Sequence, residues 1–332
     1  MVTSDALGEH EIINLLRQRL TLMPQMPVPF GDDVSAVPIG NGEVAVLKTD
    51  MLVAKTDVPP KMSLYQAARK AIVMNVSDFA SKGVQPTAAL VALGLPKNLA
   101  TKKAVTQIGD GLNTAAKEYG LHIVGGDTGQ ASDLIISVSM YGKAKQDSLM
   151  LRTGAKAGDI LAVTGMFGKS AAGLRLLLDD GCKASSKVRV LEDAVLSPHA
   201  RLAEGLALAN CGYVSSSMDS SDGLAWSLHE LMQMSGVGFA VETVPIAVEA
   251  AVFAEQNGMD AADLALYGGE EYELVLTVKP HKWALAKAAV ESVGGNLIAI
   301  GKVTSEKQVT HLVNGKKLLL EPRGYEHFKT QL

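Results

Sequence analysis

The sequence has few cysteines, and none of them lies in a metal-binding spacing. Cys182 and Cys211 are the 2 cysteines among 332 residues, with no CxxC motif and no histidine cluster nearby. Structural zinc sites and disulfide-stapled folds need more thiols at closer spacing. We therefore interpret both cysteines as buried thiols of a protein from a reducing compartment.

Long apolar runs and an excess of positive charge are also missing. No stretch reaches the roughly 20 apolar residues of a membrane-spanning helix. Met1 to Asp5 show no basic segment followed by an apolar one, so no secretory signal is expected. A net charge of −4 gives no basic field for nucleic acid. We predict a cytoplasmic protein that binds neither membranes nor nucleic acid.

The motifs of common hydrolases and P-loop enzymes are absent as well. The sequence contains neither HExxH nor a serine in a GxSxG elbow. Gly165 to Ser170 (GMFGKS) resembles a phosphate loop, but the Walker motif needs four residues between its glycines. A plain strand–turn–helix connection is the better interpretation, and its amides would lie near an anion if the helix N-terminus faced the site.

Hydrophobic patterning predicts two mixed α/β halves. The segment from Ser63 to Lys82 begins with a capping-box pattern and predicts one helix. Strands and helices recur on both sides of a polar, glycine-containing stretch at about 145–158. We therefore predict two α/β domains, 1–148 and 149–332, because the chain is long for one core.

Acidic residues recur at predicted strand ends and beside glycines. They lie in the segments Gly31–Asp33, Thr49–Asp50, Asn75–Asp78, Gly125–Asp127, Asp219–Asp222 and Gly268–Glu271. Taken singly, an Asp in a glycine turn usually bonds its own backbone. Asp78 could pair with Lys82 one helical turn later, and Asp222 could cap the following helix. Taken together, with few basic residues nearby, they predict a site where divalent cations offset like-charge repulsion of about 4 kcal/mol per pair.

In this order, and over almost the whole chain, these segments resemble those of the thiamine-monophosphate kinase family. The segment Gly268–Leu274 (GGEEYEL) and the later Gly324–Phe328 (GYEHF) add to the resemblance. It implies an aminoimidazole-ribonucleotide-synthetase-like fold, in which an N-terminal α/β domain dimerises through its sheet and a C-terminal α/β domain closes over the active site. It also implies Mg²⁺-dependent transfer of the ATP γ-phosphoryl group to thiamine monophosphate, which gives thiamine diphosphate.

The resemblance also implies which residues form the site. Mg²⁺ would be held by Asp33, Thr49, Asp50, Asp78, Asp127, Asp219 and Asp222. ATP would contact Gly126, Asp127, Arg152 and Ser221, and the thiamine moiety would contact Asp57, Glu270 and Tyr325. We expect Asp50, Asp78 and Asp127 to be the catalytic residues that anchor metals between the two phosphate groups.

Two positions depart from the family pattern, and both lie on the acceptor side. Asp57 stands where many bacterial members have a histidine, and Glu271 replaces the aspartate of Glu-Asp-Tyr-Glu. An anionic Asp57 would favour the cationic thiazolium ring of thiamine.

Other ATP-using enzymes of the same superfold are the alternatives. Aminoimidazole ribonucleotide synthetase lacks the GGExYEL run, and selenophosphate synthetases usually carry a reactive cysteine or selenocysteine near the N-terminus. The hydrogenase-maturation dehydratase ends in a functional cysteine, whereas residues 329–332 of this sequence are Lys-Thr-Gln-Leu. A non-catalytic nucleotide-binding protein would be expected to lose several metal carboxylates, and all of them are present.

Overall fold

Two β-sheets with helices packed against them make up the fold. The computed structural model describes residues 7–179, 181–183, 188–313 and 315–328. The predictions made for Met1 to Asp5 and for Lys329 to Leu332 lie outside the described residues. Within the described residues, no helix has the length and apolar character needed to cross a membrane.

The N-terminal half builds a five-stranded sheet. Its strands are β1 (Ser35–Gly40), β2 (Glu43–Val53), β3 (Pro86–Leu95), β4 (His122–Gln130) and β5 (Ile135–Lys145), in the spatial order β1-β2-β5-β3-β4. Strands β3 and β4 are parallel, and the other neighbours are antiparallel. The helices of this half are α1 (Glu9–Arg17), α2 (Ala54–Asp57), α3 (Leu64–Lys82) and α4 (Lys102–Glu118).

Helix α3 packs on the inner face of this sheet, and its ends follow the sequence prediction. Ser63 and Gln66 form a reciprocal capping box at its start, and Gly83 ends it in the left-handed region at φ 67°. A Cβ at Gly83 would lie 2.2 Å from the Cβ of Ala209, so this turn needs glycine for space as well as for its backbone. The fixed ends determine which side chains of α3 face the sheet.

Strand alternation sorts the residues of β2 onto two faces. Val46 and Leu52 are buried on the inner face, whereas Leu47 is exposed on the outer face. Lys48 and Asp50 have the parity of the buried residues and therefore point toward the face that α3 covers.

The C-terminal half builds a seven-stranded sheet. Its strands are β6 (Ile160–Val163), β7 (Val214–Asp219), β8 (Gly238–Val241), β9 (Leu274–Val278), β10 (Ile298–Thr304), β11 (Val309–Val313) and β12 (Lys316–Leu319), in the order β12-β11-β8-β10-β6-β9-β7. Its helices are α5 (Lys169–Leu178), α6 (Val188–Leu196), α7 (Leu202–Cys211), α8 (Leu224–Ser235), α9 (Val248–Asn257), α10 (Ala261–Tyr267) and α11 (Trp283–Glu291).

A continuous hydrophobic core joins the two halves through α3. Ile72 and Phe79 of α3 belong to the same buried cluster as Leu208 of α7, Leu276 of β9 and Val290 of α11. The C-terminal end of α3 therefore lies beside strands of the second sheet, which brings acidic residues from both halves within reach of one another.

Three predictions from the sequence are wrong in detail. Asp50 does not close its strand, because β2 continues to Val53 along its partner β5. Gly125 to Asp127 are not a turn, because pairing with β3 carries β4 through both glycines to Gln130. Both cysteines are half-buried rather than buried.

Candidate metal and nucleotide site

Three buried aspartates meet at the junction of the two halves. Asp33 lies in the loop before β1, Asp78 lies near the end of α3, and Asp219 ends β7. Each offers a carboxylate oxygen, and these oxygens all lie within 4.8 Å of one another. Hard divalent cations such as Mg²⁺ prefer oxygen donors of this kind.

Two serines of α3 orient these carboxylates. Ser77 Oγ donates to Asp219 Oδ2 at 2.7 Å, and Ser81 Oγ donates to Asp33 Oδ2 at 2.6 Å. They are one helical turn apart and flank Asp78, so the helix itself sets the spacing of the acidic groups.

Lys82 is fully buried beneath the cluster. Its ammonium lies 2.7 Å from Asp32 Oδ1 and 2.8 Å from Asp33 Oδ2, and it donates to the carbonyl of Ser217 at 2.7 Å. These three acceptors match the three N–H donors of a lysine ammonium. Lys82 is therefore a fixed structural cation, and it pairs with Asp32 and Asp33 rather than with Asp78, the alternative partner that the helical spacing allowed.

Two further cations reach the carboxylates. Lys48 Nζ lies 3.0 Å from Asp78 Oδ2. Arg152 pairs with Asp33 and, at 3.2 Å, with Glu230. The expectation of few basic residues nearby is wrong, because lysines and an arginine from distant parts of the chain converge here.

The positive charges hold Asp33 as an anion. Burial alone would raise the pKa of Asp33, but the charges of Arg152 and Lys82 outweigh it and keep this pKa well below its usual range. The carboxylate accepts hydrogen bonds from Arg152, Lys82 and Ser81. Asp33 is therefore ionised, and groups of the protein already supply its hydrogen bonds and balance its charge.

The other aspartates are less well compensated. Burial raises the pKa of Asp219 to about 6, and the charge of Asp33 adds to this. Burial, with the charge of Glu9, raises the pKa of Asp222 to about 7. Burial also raises the pKa of Asp78 well above its usual range, despite the nearby Lys48. An additional cation would favour the ionised forms of all three.

Three further predicted metal ligands lie outside the set of converging oxygens. Asp50 lies on the inner face of β2, and its charge acts on both Lys48 and Asp78. The Thr49 hydroxyl bonds Ser139 Oγ at 3.1 Å on the other face of the sheet, so this hydroxyl is not part of the cluster. Asp127 is exposed on the edge strand β4 and outside the set of three converging oxygens.

The predicted nucleotide-binding residues lie around this cluster and on β4. A Cβ at Gly126 would lie 1.8 Å from the carbonyl oxygen of Val91, so only glycine fits this position. Ser221 lies in the loop after β7, and its carbonyl accepts a hydrogen bond from the Glu270 amide at 2.6 Å. That bond ties the acidic cluster to the loop 268–273.

The loop 268–273 has an unusual backbone. Glu270 and Tyr272 adopt positive φ angles of 61° and 53°, a conformation that costs a non-glycine residue free energy and is found mainly where function requires it. The buried Lys70 of α3 pairs with Glu270 and donates to the carbonyl of Asp57 at 2.9 Å. Lys70 thereby links two of the predicted acceptor-binding residues, a role that the sequence did not reveal.

The third predicted acceptor residue, Tyr325, lies in the same neighbourhood. Its amide donates to the Asp222 carbonyl at 3.0 Å. Burial raises the pKa of Tyr325, and the charges of Asp57 and Glu270 raise it further. Asp57, Glu270 and Tyr325 are therefore close enough to act on one ligand.

The segment that resembles a phosphate loop is occupied by a carboxyl group of the protein itself. Glu271 Oε1 accepts hydrogen bonds from the amides of Gly168 at 2.6 Å and Ser170 at 3.2 Å. The glycine segment is a strand–turn–helix connection into α5, as predicted, and Glu271 occupies its amides. A cavity of about 400 Å³ adjoins the loop and is lined in part by Lys169, His199 and Glu270.

Two family models match most of the chain. Residues 31–144 match the AIR synthase related protein N-terminal domain, and residues 156–314 match the corresponding C-terminal domain. The two-sheet fold and its acidic cluster therefore define a member of the AIR synthase related proteins.

Individual relatives show which family of AIR synthase related proteins the chain belongs to. The chain is 36% identical over 324 residues to the thiamine-monophosphate kinase of Nitrosopumilus maritimus, covering 97% of this chain and 99% of that protein. It is 36% identical over 300 residues to the thiamine-monophosphate kinase of Pyrococcus horikoshii, covering 90% and 91%. A solved structure described as AaThiL complexed with AMPPCP and TMP matches with a TM-score of 0.84 and 30% identity over 97% of each chain. The chain belongs to the thiamine-monophosphate kinase family.

Proposed function

We propose that this protein transfers the γ-phosphoryl group of ATP to thiamine monophosphate, giving thiamine diphosphate and ADP. The observation that carries the proposal is the convergence of the Asp33, Asp78 and Asp219 oxygens within 4.8 Å. Support also comes from the relatives that are named thiamine-monophosphate kinases and from the related structure described with AMPPCP and TMP.

Mg²⁺ is the proposed cofactor. The converging oxygens and the raised pKa values of Asp78, Asp219 and Asp222 fit a divalent cation. Asp33, Asp50, Asp78, Asp219 and Asp222 would hold it with their carboxylates. Asp127 completes the proposed set, together with Thr49 through its backbone, because the Thr49 hydroxyl lies on the other face of the sheet. When bound, Mg²⁺ neutralises the charge that builds up on the transferred phosphoryl group.

The nucleotide is proposed to lie between the cluster and β4. Gly126 and Asp127 lie on the exposed strand β4, where phosphates could reach them. Arg152 supplies positive charge at the Asp33 side, and Ser221 borders the loop 268–273. These residues bind and orient the donor, and positioning of this kind provides most of the catalysis in phosphoryl transfer.

The acceptor is proposed to lie among Asp57, Glu270 and Tyr325. The Asp57 carboxylate accepts the Val53 amide at 2.6 Å, which fixes its negative charge near the expected position of the thiazolium ring. An oxygen of the acceptor phosphate is already a nucleophile, so no side chain is needed as a general base. Lys70 holds Glu270 and the Asp57 backbone in place for this role.

A homodimer is proposed to form through the N-terminal sheet. The outer face of this sheet exposes large apolar side chains, including Met51 (52%), Leu90 (50%) and Val124 (65%). Every residue of the edge strand β4 is exposed. Apolar patches and open strand edges of this kind mark interaction surfaces, and a second copy would cover the strand that carries Gly126 and Asp127. Size-exclusion chromatography with light scattering on Met51→Asp tests this, and a wild-type monomer would contradict it.

The domain division and the location also remain proposals. The two sheets span 35–145 and 160–319, which supports domains at 1–148 and 149–332. We propose a cytoplasmic location, consistent with the use of ATP.

A labelling experiment tests the activity. The pure protein is incubated with Mg²⁺, γ-labelled ATP and, in separate reactions, thiamine, thiamine monophosphate or aminoimidazole ribonucleotide precursors. We expect label in thiamine diphosphate alone. Release of labelled inorganic phosphate that depends on the aminoimidazole precursor, or no labelled product from thiamine monophosphate, would overturn the proposal.

A further inference from the structure

Lys48 and Lys82 both supply positive charge to the acidic cluster, but they are held very differently. Lys82 has no exposed side-chain surface and uses three acceptors. Lys48 keeps 23% of its side chain exposed, and its ion pair is with Asp78. A cation with an exposed path and one carboxylate partner can move when a stronger partner arrives.

Lys48 contacts a carboxylate group that a divalent cation would need. Its ammonium lies 3.0 Å from Asp78 Oδ2, and Asp78 is one of the three residues whose oxygens converge. The charges of Asp50 and Asp219 also act on it. An ammonium at this place repels a divalent ion and shares its ligands, so it weakens metal binding to the protein alone.

Nucleotide phosphates change this balance. A triphosphate brings several negative charges and offers new acceptors to a lysine ammonium, which is a common phosphate ligand. With Lys48 turned toward a phosphate, Asp78 is free to bind the metal.

We propose that Lys48 makes divalent-cation binding depend on the nucleotide, by holding Asp78 until phosphates are present. The inference rests on the proposed Mg²⁺–ATP site but not on the identity of the acceptor. In this view Lys48 is a positioning residue that makes the metal and the nucleotide bind together.

Mn²⁺ titration followed by electron paramagnetic resonance tests the inference without any turnover. The wild type, Lys48→Met and Lys48→Arg are titrated with Mn²⁺ alone and with AMPPCP present. Lys145→Met, an exposed lysine elsewhere on the same sheet, is the matched control. Melting curves check that each variant is folded, and Lys48→Gln replaces Lys48→Met if the latter is not.

We expect Lys48→Met to bind Mn²⁺ alone at least about tenfold more tightly than the wild type. AMPPCP should then strengthen its Mn²⁺ binding much less than it does for the wild type, whereas Lys48→Arg and Lys145→Met should match the wild type. Equal nucleotide-free Mn²⁺ affinity in wild type and Lys48→Met would overturn the inference while leaving the kinase proposal intact. No Mn²⁺ binding to the wild type even with AMPPCP would overturn the metal site itself, and this inference with it.

Discussion

Two acidic regions lie side by side in this protein, and they are neutralised in different ways. In the loop 268–273 each glutamate has its own partner: Glu270 pairs with Lys70, Glu271 accepts amides at the start of α5, and Glu273 pairs with Arg201 at 2.6 Å. In the carboxylate cluster, several aspartates share three cations.

The difference indicates which region awaits a ligand. Each glutamate of the loop has a direct partner within the protein, and Glu270 and Glu273 pair with cations. Glu271 has amide partners, and burial still raises its pKa to about 7. The loop is therefore a scaffold that presents Glu270. The cluster leaves Asp78, Asp219 and Asp222 with pKa values raised by burial. A bound cation stabilises ionised carboxylates most where the protein does not balance their charge. Carboxylates with pKa values perturbed in this way concentrate at functional sites.

The largest expected effect is on activity, from a change within the cluster. Asp219→Asn keeps the shape and an acceptor for Ser77 but removes a charge, and we expect turnover to fall about 1,000-fold. Because burial disfavours the Asp219 anion, the melting temperature at pH 8 should be unchanged or higher. Steady-state kinetics and calorimetry, with the exposed Asp147→Asn as the control, measure both. Near-normal turnover would contradict a role for the cluster in metal binding.

The corresponding change in the loop should harm the fold. Glu273 is buried, and it accepts hydrogen bonds from Arg201 and, at 2.8 Å, from Thr164. Glu273→Gln breaks this ion pair and should lower the free energy of unfolding by about 3 kcal/mol. Urea denaturation measures it, with Glu291→Gln in the exposed pair with Lys287 as the control. If both substitutions cost the same, the loop is not the scaffold described here.

Glu271 should make stability depend on pH. Burial raises its pKa from 4.5 to about 7, so between these values the folded state keeps a proton that the unfolded chain loses. Stability should therefore fall as the pH rises from about 4.5 to about 7, by about 3 kcal/mol from this group.

Replacement by a neutral amide tests this dependence. Glu271→Gln should be about as stable as the wild type at pH 4.5 and more stable than the wild type at pH 8. Denaturation curves across this pH range measure the difference. A variant that is less stable than the wild type at pH 8 would show that the Glu271 anion is favoured by its amides instead.

A smaller effect is expected where the loop meets α3. Lys70→Met releases Glu270 and the Asp57 carbonyl, so the KM for thiamine monophosphate should rise about tenfold, a change of about 1.4 kcal/mol. The KM for ATP should stay the same, because Lys70 does not contact the cluster aspartates. Lys61→Met, which removes an exposed pair with Glu192, is the control. Equal increases in both KM values would point to a general loss of structure.

Local patterns in the sequence predicted much of the fold. The capping box at Ser63 and the glycine at 83 fixed both ends of α3, and strands and helices recur on both sides of the predicted boundary at about 145–158. The boundaries of β2 and β4 were wrong because pairing with β5 and β3 extends these strands through polar and glycine residues. Propensity within the chain carries no information about such long-range pairing.

In the candidate site too, local sequence patterns were predictive, whereas contacts between distant segments were not. The order of the acidic segments indicated the family. The convergence of Lys48, Lys82 and Arg152 on the carboxylates was not predicted, because these residues are far apart in sequence: Arg152 was expected only at ATP, and Lys82 only as an alternative partner of Asp78. The sequence positions of two lysines, Lys48 and Lys70, could have indicated that they face the site. Lys48 lies two residues before Asp50 on a strand, which places both side chains on one face. Lys70 lies two helical turns before Asp78, on the side of α3 that faces the site.

The most direct test is a crystal structure of the protein grown with Mn²⁺ and AMPPCP, with anomalous scattering used to locate the metal. Our account predicts Mn²⁺ bonded to oxygens of Asp78 and Asp219, bridging them to the phosphates of the analogue. Bound AMPPCP with Mn²⁺ located away from these carboxylates, or no metal in the cluster, would contradict it.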